Sequence, residues 1–106
     1  MAGEVIHNKL VRDKILDIIE SHGKQYSYHI AKEKEYQQFL IEKLREELLE
    51  FSQTPNEEEA ADMLEVIFSL FHTFNLDPTR VEEIRQKKLA ERGGFEKRII
   101  LEKVSG

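Results

Sequence analysis

The sequence contains no cysteine in 106 residues, which excludes disulfides and thiolate metal sites. It has no tryptophan, two prolines and five glycines, a shortage of chain breakers that suits a few long helices with short links. No apolar run approaches the roughly 18 residues of a membrane span. The N-terminus also lacks the apolar stretch of a signal peptide. The expectation is a cytoplasmic protein without a membrane partner, forming a single domain over residues 1–106.

What the chain has in excess is charge. Charged residues make up 35% of it and the formal net charge is −5, a balance that argues against a nucleic-acid partner. The distribution says more than the sum. Residues 42–65 carry nine acidic and two basic groups, whereas residues 80–103 carry eight basic and five acidic ones. An acidic centre with a basic C-terminal part could hold a metal beside a polyanion; two exposed helices that attract each other would show the same pattern.

Apolar spacing at Leu10, Val11, Ile15, Ile18 and Ile19 predicts a first helix over about 10–21, stopped at His22-Gly23. Lys9, Arg12 and Lys14 cluster at its start, where the helix dipole is already positive, which points either to an anion nearby or to solvated surface residues. Residues 25–31 are rich in strand formers and predict a short strand around Tyr26–Ile30. Its expected partner is a second strand over 96–104, because two short strands need each other.

The second helix is expected over about 32–52. With Tyr36 set at zero on the helical wheel, its apolar arc spans about 200° from Phe39 to Ile41. Glu47 falls at about 20°, Lys43 at about 340° and Glu50 at about 320°, all within that arc. Glu46, at about 280°, lies just outside its edge. A surface salt-bridge pattern would place such charges on the far side with Glu42 and Arg45. Carboxylates on a packing face are costly unless they are paired or bind a cation; long Glu side chains that snorkel outward are the bland alternative.

A turn at Gln53–Asn56 offers two caps for a third helix over about 55–75. Thr54 can cap with Pro55 at the first helical position and Glu57 closing the box, or Asn56 can cap with Glu59. The third helix is apolar over all but about 140° of its surface, which places it at the centre of a bundle or in an oligomer interface. Glu59 intrudes on its apolar sector, and Asp62 stands on the border about 60° away. Asp77 and Pro78 begin a fourth helix that runs to Arg92 and stops at Gly93-Gly94. Arg85, Lys88 and Arg92 recur along one of its faces.

Glu47 with Glu50, and Glu59 with Asp62, are pairs spaced three apart, which puts each pair on one helix face. On antiparallel helices the four carboxylates could converge. Such a set of hard oxygen donors suits Mg²⁺, with Mn²⁺ as a substitute.

The joined pattern Glu46-Glu47-x-x-Glu50, eight residues, Glu59-x-x-Asp62 resembles the signature of the MazG-like, all-α nucleoside triphosphate pyrophosphohydrolase superfamily. The stretches Asn-Lys-Leu-Val-Arg-Asp-Lys-Ile (8–15) and Glu-Arg-Gly-Gly-Phe (91–95) look like its small, house-cleaning branch. The resemblance covers almost the whole chain. It implies an all-α helical core of about four helices, here with the short two-stranded β element, completed by dimerisation into a homodimer or homotetramer. It also implies Mg²⁺-dependent cleavage of a nucleoside triphosphate, noncanonical ones included, to the monophosphate and pyrophosphate. Position by position, Glu47, Glu50, Glu59 and Asp62 would be metal ligands and Glu46 a base or second-metal group. Lys9, Arg12, Lys43, Lys88 and Arg92 would bind the substrate's phosphates.

The short gap between the two acidic motifs leaves little room for a base-recognition loop. Phosphoribosyl-ATP is the rival substrate. A non-enzymatic helical oligomerisation or adaptor module is the rival class, and it predicts exposed Glu47 and Glu50 with no metal dependence.

Overall fold

The computed structural model describes residues 3–106. It contains four helices, α1 (Ile15–Ser21), α2 (Glu33–Gln53), α3 (Glu57–Thr73) and α4 (Pro78–Arg92), and no strand among the described residues. The chain divides into two compact units, one ending at Asn75 and one running from Leu76 to Gly106.

In the first unit, α2 packs along α3. Leu40 from α2 and Val66 from α3 are the buried apolar side chains of this seam. Phe39, Leu44, Phe51, Met63, Ile67, Leu70 and Phe71 are half-buried around them. The apolar surface of α3 is wider than α2 can cover. Leu64 and Phe68 remain more than half exposed, as do Leu48 and Leu49 on α2. Phe68 packs edge-on against Phe71, with ring centroids 6.1 Å apart.

Of the two possible caps for α3, Asn56 is the one used. Its side chain accepts a hydrogen bond from the Glu59 backbone N–H at 2.8 Å, so Pro55 precedes the cap instead of opening the helix. Thr54 instead ends α2, its N–H bonded to the Glu50 carbonyl at 3.0 Å. Glu57, Glu58 and Glu59 thus lie in the first turn of α3, where the dipole favours anions.

Two expectations are corrected. The first helix begins at Ile15, not near Leu10. Residues 12–15 form a single turn in which Ile15 N–H bonds to the Arg12 carbonyl at 3.0 Å, and Asn8 takes a left-handed φ of 46°. Lys9 and Arg12 are tied to different helices of the first unit. The helix then stops at Gly23, which adopts φ 73° with its N–H on the Glu20 carbonyl.

The two-stranded element over 25–31 and 96–104 does not form. Strand propensity reflects packing on a half-buried pleated surface. Here Tyr28, Ile30, Ile99 and Ile100 are all strongly exposed. Arg98 also takes φ 56° and bonds back to the Phe95 carbonyl, which interrupts the second run with a turn.

In the second unit, Asp77 caps α4 through the Thr79 N–H at 2.9 Å, with Pro78 at the first helical position. Gly93, at φ 80°, terminates it. Arg80–Glu83 and Arg85–Glu82 pairs lace its surface. The hydrogen bonds from Arg85 and Gln86 lower the Glu82 pKa to about 2. No helix among the described residues is long and apolar enough to cross a membrane.

Candidate metal centre

Helical spacing brings Glu47 and Glu50 of α2 to the same side, and the packing of α3 brings Glu59 against them. One carboxylate oxygen from each of the three lies within 4.8 Å of the others.

Glu47 is the unusual member. It is the buried charged residue among those described, with 6% of its surface exposed. Its Oε1 lies 3.5 Å from the Lys43 ammonium, while its Oε2 is buried without a hydrogen-bond partner. Glu59 Oε2 is likewise buried and unpartnered. Buried acceptors of this kind are rare and call for an explanation. A cation held between the carboxylates would satisfy both.

The electrostatics follow. Burial raises the pKa of the Glu47 carboxyl above its ordinary value, and the neighbouring Glu50 carboxylate pushes it further up. Burial likewise raises that of Glu59, again helped by Glu50 and then by Asp62. Both carboxyls are resisting ionisation because the site holds too much negative charge in too little water. Such a donor set, all carboxylate oxygen, suits a hard divalent cation.

Asp62 and Glu46 stand beside this trio, each engaged by a cation. Arg12 Nη2 lies 2.7 Å from Asp62 Oδ1, and Lys9 Nζ lies 2.9 Å from Glu46 Oε1. The Lys43 ammonium, mostly buried, bridges Glu46 Oε2 at 3.4 Å and Glu47 Oε1 at 3.5 Å. The hydrogen bond from Lys9 lowers the Glu46 pKa and raises that of Lys9. Glu46 is therefore firmly ionised.

Of the ten residues singled out from sequence, the first unit gathers eight: Glu46, Glu47, Glu50, Glu59, Asp62, Lys9, Arg12 and Lys43. Lys88 and Arg92 lie exposed on α4 in the second unit. Of the three N-terminal cations, Lys9 faces Glu46 and Arg12 faces Asp62, while Lys14 is exposed. His29 pairs with Glu35 at 3.0 Å, and His72 is exposed. No family model, curated protein or solved structure matches the chain.

Proposed function

We propose that this chain is a divalent-cation-dependent nucleoside triphosphate pyrophosphohydrolase of the MazG-like kind that its motifs resemble, working in the cytoplasm. The observation that carries the reading is Glu47, a buried carboxylate with an unmet oxygen, set against Glu50 and Glu59. The rival adaptor reading asks for exposed Glu47 and Glu50; Glu50 is exposed as it asks, and the burial of Glu47 speaks against it. The substrates are ordinary or noncanonical nucleoside and deoxynucleoside triphosphates, with phosphoribosyl-ATP the enzymatic alternative.

Glu47, Glu50 and Glu59 would hold Mg²⁺ or Mn²⁺, a Lewis acid that when bound would neutralise phosphate charge and lower the pKa of an attacking water. The reaction joins the water oxygen to the α-phosphorus and breaks the bond from that phosphorus to the bridging oxygen of the β-phosphate. Monophosphate and pyrophosphate are the products. Lys9, Arg12 and Lys43 offset charge on the phosphates. Glu46 accepts the water's proton once Lys9 has moved to phosphate, because a carboxylate held by an ammonium is a poor base. The exposed Leu48, Leu49, Leu64 and Phe68 support completion of the core in a homodimer or homotetramer.

The test is a nucleotide panel, including damaged and deoxy forms, assayed for Mg²⁺-dependent pyrophosphate release with Glu47→Ala alongside. Release by the native protein and its loss in the variant are expected. Equal rates in both would end the assignment.

A further inference from the structure

Two runs of the chain have the composition of strands and pair with nothing. Residues 25–31 and 99–104 belong to no helix or turn, and neither run exchanges a backbone hydrogen bond with other described residues. Both are rich in β-branched, aromatic or aliphatic residues, and neither contains proline or glycine. Tyr26 and Tyr28 hold their rings together, with centroids 6.0 Å apart, as alternate residues on one side of a strand do. Ile30, next in that alternation, is 83% exposed, and Ile100 in the second run is 82% exposed. Proteins that leave such an edge in water blunt it with lysine or proline. Residues 25–31 have neither, nor any acidic group, the signature of a segment that pairs edge to edge.

The single chain has little with which to cover these runs. Leu40 and Val66 are its buried apolar side chains among the described residues, too few to offset the entropy lost on ordering the chain. Whatever completes the burial must be present wherever the chain folds, a condition that another copy of the chain meets. Charge then selects which runs meet. Residues 1–75 carry eight basic and 15 acidic groups, whereas residues 76–106 carry eight basic and six acidic ones. Like runs pairing from two copies would bring together net charges of the same sign, and unlike runs set −7 against +2. The local pattern agrees. Near the first run, partial burial raises the Tyr26 pKa and the charges of Glu20 and Asp17 add to the shift. In or beside the second run stand Lys97, Arg98 and Lys103.

We propose that residues 25–31 of one copy pair with residues 99–104 of a second copy, forming a two-stranded ribbon between chains. With two-fold symmetry the exchange is reciprocal and gives two ribbons. Main-chain hydrogen bonds supply the pairing. Tyr26, Tyr28 and Ile30 set an apolar side against the aliphatic residues of the partner's run. A lone two-stranded ribbon is marginal in water, so the pairing belongs to the assembled protein and not to the separate chain. The inference is independent of the metal reading. It also names a contact other than the helical face of Leu48, Leu49, Leu64 and Phe68.

The experiment mixes ¹³C,¹⁵N-labelled and unlabelled full-length chains, refolds them together and records isotope-filtered nuclear Overhauser spectra, which report contacts between copies. Cross-peaks from Tyr26, Tyr28 and Ile30 to residues 99–104 of the other copy are expected. Their absence, their appearance only within one chain, or a native protein that stays monomeric would overturn the proposal. Tyr28→Pro and Ile100→Pro each remove a ladder donor outside the helices. Sedimentation should show each weakening self-association by at least roughly ten-fold, because symmetry repeats the loss, with helical circular dichroism kept. Undiminished association in both variants would overturn the ribbon while leaving the helical face as the contact between copies.

Discussion

Replacing Glu47 with Gln separates a metal ligand from a merely awkward carboxylate, because both roles predict a more stable metal-free protein but only the ligand role predicts loss of the stabilisation by Mg²⁺. Like charges at 4.8 Å, the outer limit for the Glu47, Glu50 and Glu59 oxygens, repel by about 0.9 kcal/mol in water and about 3.5 kcal/mol at an effective dielectric constant of 20. The Lys43 ammonium, 3.5 Å from Glu47, offsets one such repulsion and leaves the other. Burial of an unmet acceptor adds about 1–3 kcal/mol. Gln keeps the volume, removes the charge and brings an N–H donor to the neighbouring carboxylates. Allowing for relaxation and water entry, Glu47→Gln should stabilise the metal-free protein by about 1–2 kcal/mol. That raises its melting temperature by roughly 5–10 °C at fixed protein concentration. Mg²⁺ at a hundredfold excess over its dissociation constant should stabilise the native protein by about 2.7 kcal/mol, and the variant hardly at all. Scanning fluorimetry of both proteins in EDTA and in Mg²⁺ reads all four values. A variant that melts lower than the native protein in EDTA, or that keeps the full Mg²⁺ shift, would refute the reasoning.

The stabilisation by Mg²⁺ should also depend on pH. Glu47 and Glu59 have folded-state pKa values raised above the ordinary 4.5, so from that pH upward the folded protein binds more protons than the unfolded chain. Metal-free stability therefore falls as pH rises through this window. Glu46, lowered by Lys9, works the other way: its contribution is present above 4.5 and is lost as pH falls through the lowered value. Mg²⁺ binds the ionised form, so its melting shift should be small near about pH 5 and larger near about pH 8. At the helix cap, Asn56→Ala should cost about 1 kcal/mol while Thr54→Ala stays within about 0.5 kcal/mol, as urea unfolding would show. Leu40→Ala opens a cavity in a seam with few buried side chains. It should cost about 2–5 kcal/mol, visible as lost helical circular dichroism on mild heating.

The long helices were legible because apolar spacing repeats over many turns. The expected spans of about 32–52 and 78–92 differ by a residue at most from Glu33–Gln53 and Pro78–Arg92. Placement of Glu47 on the packing side of α2 could be read from the same wheel, whereas Glu50, expected within the same arc, is exposed. The start of α1 could not, since Lys9 and Arg12 answer to partners far along the chain, and no local pattern encodes an ion pair across 50 residues. The strands failed because β-branched and aromatic residues report a surface that needs covering, not the partner that would cover it. The choice between Thr54 and Asn56 was open because both satisfy the same capping chemistry one register apart.

The account stands or falls on a cation between α2 and α3, and a crystal grown with Mn²⁺ tests that most directly. The account predicts an anomalous peak ligated by carboxylate oxygens of Glu47, Glu50 and Glu59, with the Glu47 Oε2 no longer unmet. Well-ordered density for the three side chains with no peak among them, or Mn²⁺ bound only elsewhere, would contradict it.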